Sequence, residues 1–364
     1  MLLDIETSVP PNKASQFKTA EELKKRMAGR PAVARMIDSV SNHSGIEYRN
    51  FVVPDAEETA ENKFYSKDGI YFSPDTKIRM TEYEAWSKRL AKEAVDKLLK
   101  KNNIDPNDIN RLITISCTGF FAPGLDYYLI SEFGFPLSIK RTNIGFMGCA
   151  ASVIGFNTAL ETMSQINEIE TNVLLVSVEL CSLHLQTEPT RDNILANMIF
   201  ADGCGAALFS NTKIKELKPK LKLISTDSIL FRDSENFMGW KIGNFGFEMI
   251  LSSELPKIIL EEAVPKLKKI LAEKGIEPEL IKYWALHPGG RAILDSLQTG
   301  LTLSDEKMAP SRFVLRNYGN MSSASILFVL KNILENKKIE IGDYCCAVAF
   351  GPGLTMEIAL LKGE

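Results

Sequence analysis

The sequence predicts a duplicated α/β fold: two halves, about 1–218 and 219–364, packed as pseudo-twofold mates in a five-layered α/β/α/β/α sandwich. Three pairs of similar segments, met in the same order in each half, carry that expectation. In the first pair, Glu93-Ala94-Val95 opens an amphipathic helix that closes at Asn102-Asn103. Ile104-Asp105-Pro106-Asn107-Asp108-Ile109 then leads to an apolar strand over Leu112 to Ile115. The counterpart opens at Glu262-Ala263-Val264, closes at Gly275, and passes through Ile276-Glu277-Pro278-Glu279-Leu280-Ile281 to a strand over Tyr283 to Leu286. Each reads as helix, turn and buried strand, because a helical apolar period gives way, after Asn or Gly and then Pro, to a short continuous apolar run.

The second pair keeps its length without a gap. Asn143-Ile144-Gly145-Phe146-Met147 precedes a small-residue helix ending at Leu160-Glu161, and Asn317-Tyr318-Gly319-Asn320-Met321 precedes another ending at Leu334-Glu335, so that Cys149 falls opposite Ser323. Ala150, Ala151, Ser152, Ser322, Ser323 and Ala324 are small enough for the two helices to approach closely near the pseudo-axis. The third pair is read as glycine-bearing hairpins, Asp202-Gly203-Cys204-Gly205 and Phe350-Gly351-Pro352-Gly353, near the ends of the two halves. The charged stretch from Lys213 to Lys222, with Pro219 inside it, is expected to be the solvated connection between them.

Composition narrows the function. With 45% hydrophobic and 24% charged residues, the 364-residue chain is long enough for about two domains. A net charge of -3, from 43 Lys and Arg against 46 Asp and Glu, gives no electrostatic footprint for nucleic acid or an anionic membrane as main partner. No apolar run approaches the roughly 18 residues of a membrane span, and Met1-Leu2-Leu3-Asp4 followed by Pro10-Pro11 is not a signal-peptide core. The expected location is cytoplasmic. Six cysteines without a Cys-x-x-Cys pair make neither a disulfide scaffold nor a zinc site, so each is by default reduced and buried, and no metal or cofactor is expected.

One cysteine departs from that default. Cys149 follows Gly145-Phe146-Met147-Gly148 at the start of the apolar helix, where unpaired backbone amides favour thiolate and raise nucleophilicity. Cys117, Cys181, Cys204, Cys345 and Cys346 lie in apolar, strand-like segments. Of the three histidines, His287 sits at the end of the strand Tyr283 to Leu286 and before Pro288-Gly289-Gly290, a backbone-exposing loop at the place where α/β sheets bind ligands. His43, among Ser and Asn, reads as a surface or rim residue, and His184 as a core histidine. Asn320, in the glycine turn before the second small-residue helix, taken alone fits helix capping. Taken with Cys149, His287 and the duplication, it reads as an oxyanion donor.

These residues, with their surrounding motifs, resemble the thiolase superfamily and, within it, the chalcone-synthase-like type III polyketide synthases of bacterial type. The resemblance covers nearly the whole chain. It rests on Gly148-Cys149-Ala150, on Leu286-His287-Pro288-Gly289-Gly290 followed by Ala292-Ile293-Leu294-Asp295, on Tyr318-Gly319-Asn320-Met321-Ser322-Ser323-Ala324, and on Phe350-Gly351-Pro352-Gly353-Leu354-Thr355. It implies a homodimeric acyltransferase in which Cys149, His287 and Asn320 are catalytic. An acyl-CoA starter would be loaded as a thioester and extended with malonyl-CoA by iterative decarboxylative condensation, followed by cyclisation to a pyrone, resorcinol or phloroglucinol. Coenzyme A thioesters are then substrates, not cofactors.

The same resemblance places the family's two gatekeeper phenylalanines on Phe200 and Phe247. It puts Cys117 and His184 where plant members have cavity threonines, Met238 where they have a small glycine, and Ala122 where they send a methionine across the dimer interface. The stretch Met36 to His43, where plant members grip the coenzyme A phosphates, has no lysine or arginine, which leaves Arg35 and Arg291 as nearby substitutes. The alternative with the same Cys, His and Asn order is an initiating ketoacyl synthase dependent on acyl carrier protein, which usually lacks the phenylalanine pair and the Phe-Gly-Pro-Gly-Leu ending. A papain-like hydrolase shares only the residue order, and a non-catalytic scaffold would be expected to have lost one of the three residues.

Overall fold

The structure is a computed structural model that describes residues 1–27, 30–57, 62–165, 170–212 and 220–364. Strands β1 (Leu2–Ser8), β2 (Arg111–Ser116), β3 (Lys140–Gly145), β4 (Asn172–Leu180) and β5 (Asp202–Ser210) form a sheet in the order β3-β2-β4-β5-β1. Strands β6 (Leu221–Leu230), β9 (Ile281–Leu286), β10 (Tyr344–Gly351) and β11 (Thr355–Gly363) form a second in the order β9-β10-β11-β6, and β7 (Met238–Gly243) with β8 (Gly246–Leu251) makes a separate hairpin. The sheets join edge to edge through one paired position, Leu2 with Leu221.

The duplication is written in the pairing. In the first sheet β2 runs parallel to β4, while β4 with β5 and β5 with β1 are antiparallel. In the second, β9 runs parallel to β10, while β10 with β11 and β11 with β6 are antiparallel. β4 and β10 are apolar runs buried almost throughout, as strands covered on both faces must be.

Strand parity separates the layers. Ile113, Val173, Tyr283 and Ala285 face a central core that contains α3 (Ala151–Gln165) and α8 (Ser325–Asn336). Leu112, Leu174 and Val176 face the opposite way, against α2 (Thr76–Asn102). Trp284, Leu286 and Cys346 face α5 (Val264–Glu273), α6 (Arg291–Leu301) and α7 (Asp305–Tyr318). The result is the five-layered, thiolase-like sandwich. The two central helices start side by side: Ser152 Oγ on α3 donates to the carbonyl of Ser323 at 2.6 Å.

Several sequence expectations need correction in detail. Helix α2 begins at Thr76, capped by Asp75, well before Glu93, and ends as expected with Asn103 in the left-handed region. The second helix is preceded by a short helical turn at Leu255–Ile258 and a wide turn over Ile259–Ala263. Pro265 has no N–H to return to the preceding turn, which fits that local widening. The segment from Asp202 is not a hairpin but the continuous strand β5, whose mate is β11, which starts at Thr355. Its glycines serve close approach instead: a Cβ on Gly203 would lie 2.4 Å from Met321 Sδ, and one on Gly205 would lie 2.8 Å from Leu327 Cβ. Of the expected connection, residues 213–219 lie outside the described residues, and with them the boundary between 218 and 219. Among the described residues no helix is long and apolar enough to cross a membrane.

Candidate active site

Cys149 lies in a tight turn, Gly148–Ala150, that feeds directly into α3. Gly148 has φ +61, and a Cβ there would meet Pro352 Cδ at 2.2 Å, so only glycine lets the turn sit against the hairpin joining β10 to β11. The pseudo-equivalent turn, Ser322–Ala324, feeds α8 in the same way. The two turns meet: Cys149 Sγ donates to Ser322 Oγ at 3.5 Å.

Asn320 is fixed by contacts that settle which side-chain atom is oxygen. Its Oδ1 accepts the N–H of Ser322 at 2.9 Å, and its Nδ2 donates to the carbonyl of Gly289 at 3.2 Å. The amide also bears on the Cys149 thiol as a hydrogen-bond partner. Its backbone is held by Ile199, whose carbonyl accepts the Asn320 N–H at 3.0 Å, and by Ala201, whose N–H donates to the Asn320 carbonyl at 2.9 Å.

His287 follows β9 and inherits the parity of Tyr283 and Ala285, which turns it toward the central layer. Its N–H donates to the carbonyl of Val348 at 2.9 Å. Both ring nitrogens are buried without a hydrogen-bond partner. A native site rarely leaves two such atoms bare, and here they lie beside Gly289, whose missing Cβ would stand 3.7 Å from Nε2. Asn320 is therefore in contact with Cys149 on one side, and on the other reaches the His287 loop through the Gly289 peptide.

Burial sets the resting charges. It pushes the Cys149 thiol up to about 12, against the opposing pull of Ser322 and Asn320, and pushes His287 down to about 3. Desolvation thus opposes the thiolate that the helix N-terminus favours, and in the closed, unliganded site it favours thiol and neutral imidazole. His184, also held down to about 3 by burial, is neutral for the same reason. Its Nδ1 accepts the Phe247 N–H at 2.9 Å, so its Nε2 carries the proton donated to the Thr118 carbonyl at 2.7 Å. It is a satisfied wall residue, stacked on Phe247 at 4.2 Å.

One cavity adjoins the thiol, and a second, larger one lies beyond it. The first is lined by Cys149 and Ser322 together with Cys117, Phe200, Met238 and Pro352. The second is lined by His184, Phe200 and Phe247, and extends to the buried ion cluster of Arg26, Glu22 and Asp55. Every pocket residue expected from the sequence therefore finds a cavity wall except Arg291, which stands half exposed at the start of α6, 3.5 Å from Asp295. His43 is exposed, as expected, and its Nδ1 bonds the Ser39 carbonyl at 2.8 Å.

Three residues were missed. Glu179, wholly buried on β4, accepts the Cys117 N–H at 3.0 Å and the Thr118 hydroxyl at 2.8 Å, and also bonds the Ser323 hydroxyl. Burial raises it to about 7. Its signal was a lone carboxylate in an otherwise apolar strand. Arg49, wholly buried, donates to the carbonyls of Phe200 at 2.6 Å and Asn197 at 2.8 Å, so it pins the segment that bonds Asn320. Trp240 donates its indole N–H to the Cys117 carbonyl at 2.7 Å, and the alternation of Met238 and Trp240 along β7 was its signal.

Comparison with known proteins agrees with this fold. Residues 20–229 match the family described as FAE1/Type III polyketide synthase-like protein, and residues 222–363 match the C-terminal domain of chalcone and stilbene synthases. A putative chalcone synthase of Bacillus subtilis (strain 168) is 30% identical, with 100% of this chain and 98% of the relative covered. The 1,3,6,8-tetrahydroxynaphthalene synthase of Streptomyces coelicolor is 29% identical over 97% of this chain and 89% of its own length. The crystal structure of PKS-I from the brown alga Ectocarpus siliculosus superposes with a TM-score of 0.91 at 29% identity, covering 100% of this chain and 98% of that one. The chain belongs to the chalcone-synthase-like type III polyketide synthases, acyltransferases that carry out iterative condensation.

Proposed function

We propose that Cys149 is the acyl-carrying nucleophile, that His287 accepts its proton, and that His287 and Asn320 together bind the enolate oxygen of decarboxylating malonyl-CoA. The observation that carries this reading is that Asn320 stands beside the Cys149 thiol and bonds the Gly289 carbonyl in the loop of His287, whose two ring nitrogens are unpartnered, while Cys149 itself lines an apolar cavity. Sulfur attacks the starter thioester as its proton passes to His287, and the coenzyme A thiolate leaves, taking that proton. The carbon–carbon bond to the malonyl carboxylate then breaks, carbon dioxide departs, and the electron pair rests as an enolate facing the Asn320 Nδ2–H and the His287 N–H. The enolate carbon attacks the Cys149 thioester and frees the sulfur. The lengthened chain returns to Cys149 until it cyclises to a pyrone, resorcinol or phloroglucinol.

Cys117, Phe200 and Met238 would shape the cavity beside the thiol, with His184 and Phe247 on its second chamber, while Arg291 is the candidate for the coenzyme A phosphates. A homodimer, each subunit with its own Cys149, His287 and Asn320, is supported by the edge strand β3 and by exposed Phe120 and Met147 near it. A cytoplasmic setting accords with six unpaired cysteines. The deciding experiment is incubation of the pure protein with malonyl-CoA and a panel of acyl-CoAs, without any carrier protein, followed by mass spectrometry. Cyclised polyketides are expected, and a strict requirement for carrier protein would favour the initiating ketoacyl synthase.

A further inference from the structure

The two cavities share a wall. Cys181, Phe200, Trp240 and Met249 line both, and of these Trp240 and Met249 are direct cross-strand partners in the β7–β8 hairpin. Strand alternation puts Met238 and Trp240 on one face of β7, and Phe247 and Met249 on the matching face of β8, so this side of the hairpin walls the chambers. The two wall residues differ in stiffness. The Trp240 indole is held by its bond to the Cys117 carbonyl and stands edge-on to His184 and Phe247, at 5.6 and 5.9 Å between ring centroids. Met249, partly buried, is unbranched and has no hydrogen bond to fix its side chain. Beyond them the lining of the larger chamber is mostly apolar until Arg26, Glu22 and Asp55, whose charged atoms already satisfy one another.

We infer that the Trp240–Met249 pair is an internal partition that limits the acyl length accepted at Cys149, and that Trp240 is a specificity-determining residue of the enzyme. The inference rests on the reading of Cys149 as the acyl carrier. An acyl chain on the sulfur fills the chamber beside the thiol and then meets the indole. A chain that passes it gains the second chamber and buries further methylenes, each worth a factor of about four in affinity. A saturated aliphatic tail suits that space, because its lining is mostly apolar and the charges at its far end are bonded to one another.

The test compares wild type with Trp240→Ala, Trp240→Phe and Met249→Ala. Acylation of Cys149 is read by intact-protein mass spectrometry with hexanoyl-, decanoyl- and hexadecanoyl-CoA, and binding of free decanoic acid is read by calorimetry. Trp240→Ala is expected to raise the ratio of long-chain to hexanoyl loading roughly tenfold or more, by opening space for at least two more methylenes. Hexanoyl loading serves as the internal reference for that ratio, and decanoic acid should bind more tightly by a similar factor. Trp240→Phe, which keeps a ring in the wall, should change the ratio less, and Met249→Ala should shift it in the same direction even if Trp240→Ala fails to fold. Unchanged loading ratios and unchanged decanoic acid binding in folded variants would overturn the partition. If wild type acylates at a residue other than Cys149, the catalytic assignment fails, while the calorimetry still decides whether the wall divides the space.

Discussion

The side-chain amide of Asn320 donates to the carbonyl oxygen of Gly289 at 3.2 Å, and so ties the turn that starts α8 to the loop that carries His287. Because Oδ1 is occupied by the Ser322 N–H, the remaining hydrogen of Nδ2, on the side of the Cys149 thiol, is the one that can pass to a substrate oxygen. Helix capping and oxyanion binding are therefore not alternatives for this residue. The capping contact orients the donor.

Replacing His287 or Asn320 by Ala should lower the rate of malonyl-CoA decarboxylation by about a hundred- to a thousand-fold, the usual consequence of losing one oxyanion donor. Release of carbon dioxide from labelled malonyl-CoA reads this directly. The Asn320 variant should still load a starter on Cys149, and equal loss of loading and decarboxylation would argue that Asn320 only holds the loop in place.

Iodoacetamide should modify Cys149 ahead of Cys117 and Cys181, whose thiols burial also pushes well up and which lack the helix N-terminal position of Cys149. With the Cys149 thiol held near 12, the thiolate fraction grows about tenfold per pH unit, so the logarithm of the inactivation rate should rise steadily from about pH 6 to 9. A plateau near neutral pH would reveal a preformed thiolate. Cys149→Ala should abolish acyl loading altogether.

Glu179 makes stability depend on pH in a definite sense. Its pKa is raised from 4.5 unfolded to about 7 folded, so the folded state binds the proton more tightly. The contribution is fully present below about pH 4.5 and is lost as pH rises through about 7, a change on the order of 3 kcal/mol. Melting temperatures of wild type and Glu179→Gln, compared at pH 5.5 and 8, should show the wild type falling more steeply. Parallel curves would contradict the assignment.

Met238 lines the same cavity as Cys149 and is buried against it. Met238→Gly should lengthen the products or admit bulkier starters without slowing Cys149 loading, at a stability cost of about 2–4 kcal/mol for the lost side chain. Product mass spectrometry on the folded variant settles it, since an unchanged profile would reduce Met238 to packing.

The places of Cys149, His287 and Asn320 were legible because each depends on local chain geometry: a turn before a helix, the end of a buried strand, a glycine corner. The repeat then said that the turns belong together. The burial that opposes the thiolate was not legible, since the dipole at Cys149 is local whereas the desolvating layers come from distant parts of the chain. Glu179 was hidden for a similar reason, because its partners Cys117, Thr118 and Ser323 lie far away in sequence. The early part of α2 escaped because its buried face includes Arg79, Tyr83 and Ser87, which break the apolar period. Asp202 to Cys204 misled because glycines that let a helix come close look, in sequence, like glycines that turn a chain.

The turns Gly148–Ala150 and Ser322–Ala324 occupy matching places, yet only one bears a thiol; in the other, Ser323 bonds Glu179 and receives Ser152. The copy without a nucleophile thus became the anvil against which the other is held. The proposed centre, split in this way, has its hinge inside itself: sliding one half against the other by the width of an atom would part sulfur from amide before either half lost its own shape. Loss of turnover on heating should therefore precede loss of helical signal, making activity the earliest gauge of how firmly the two copies grip.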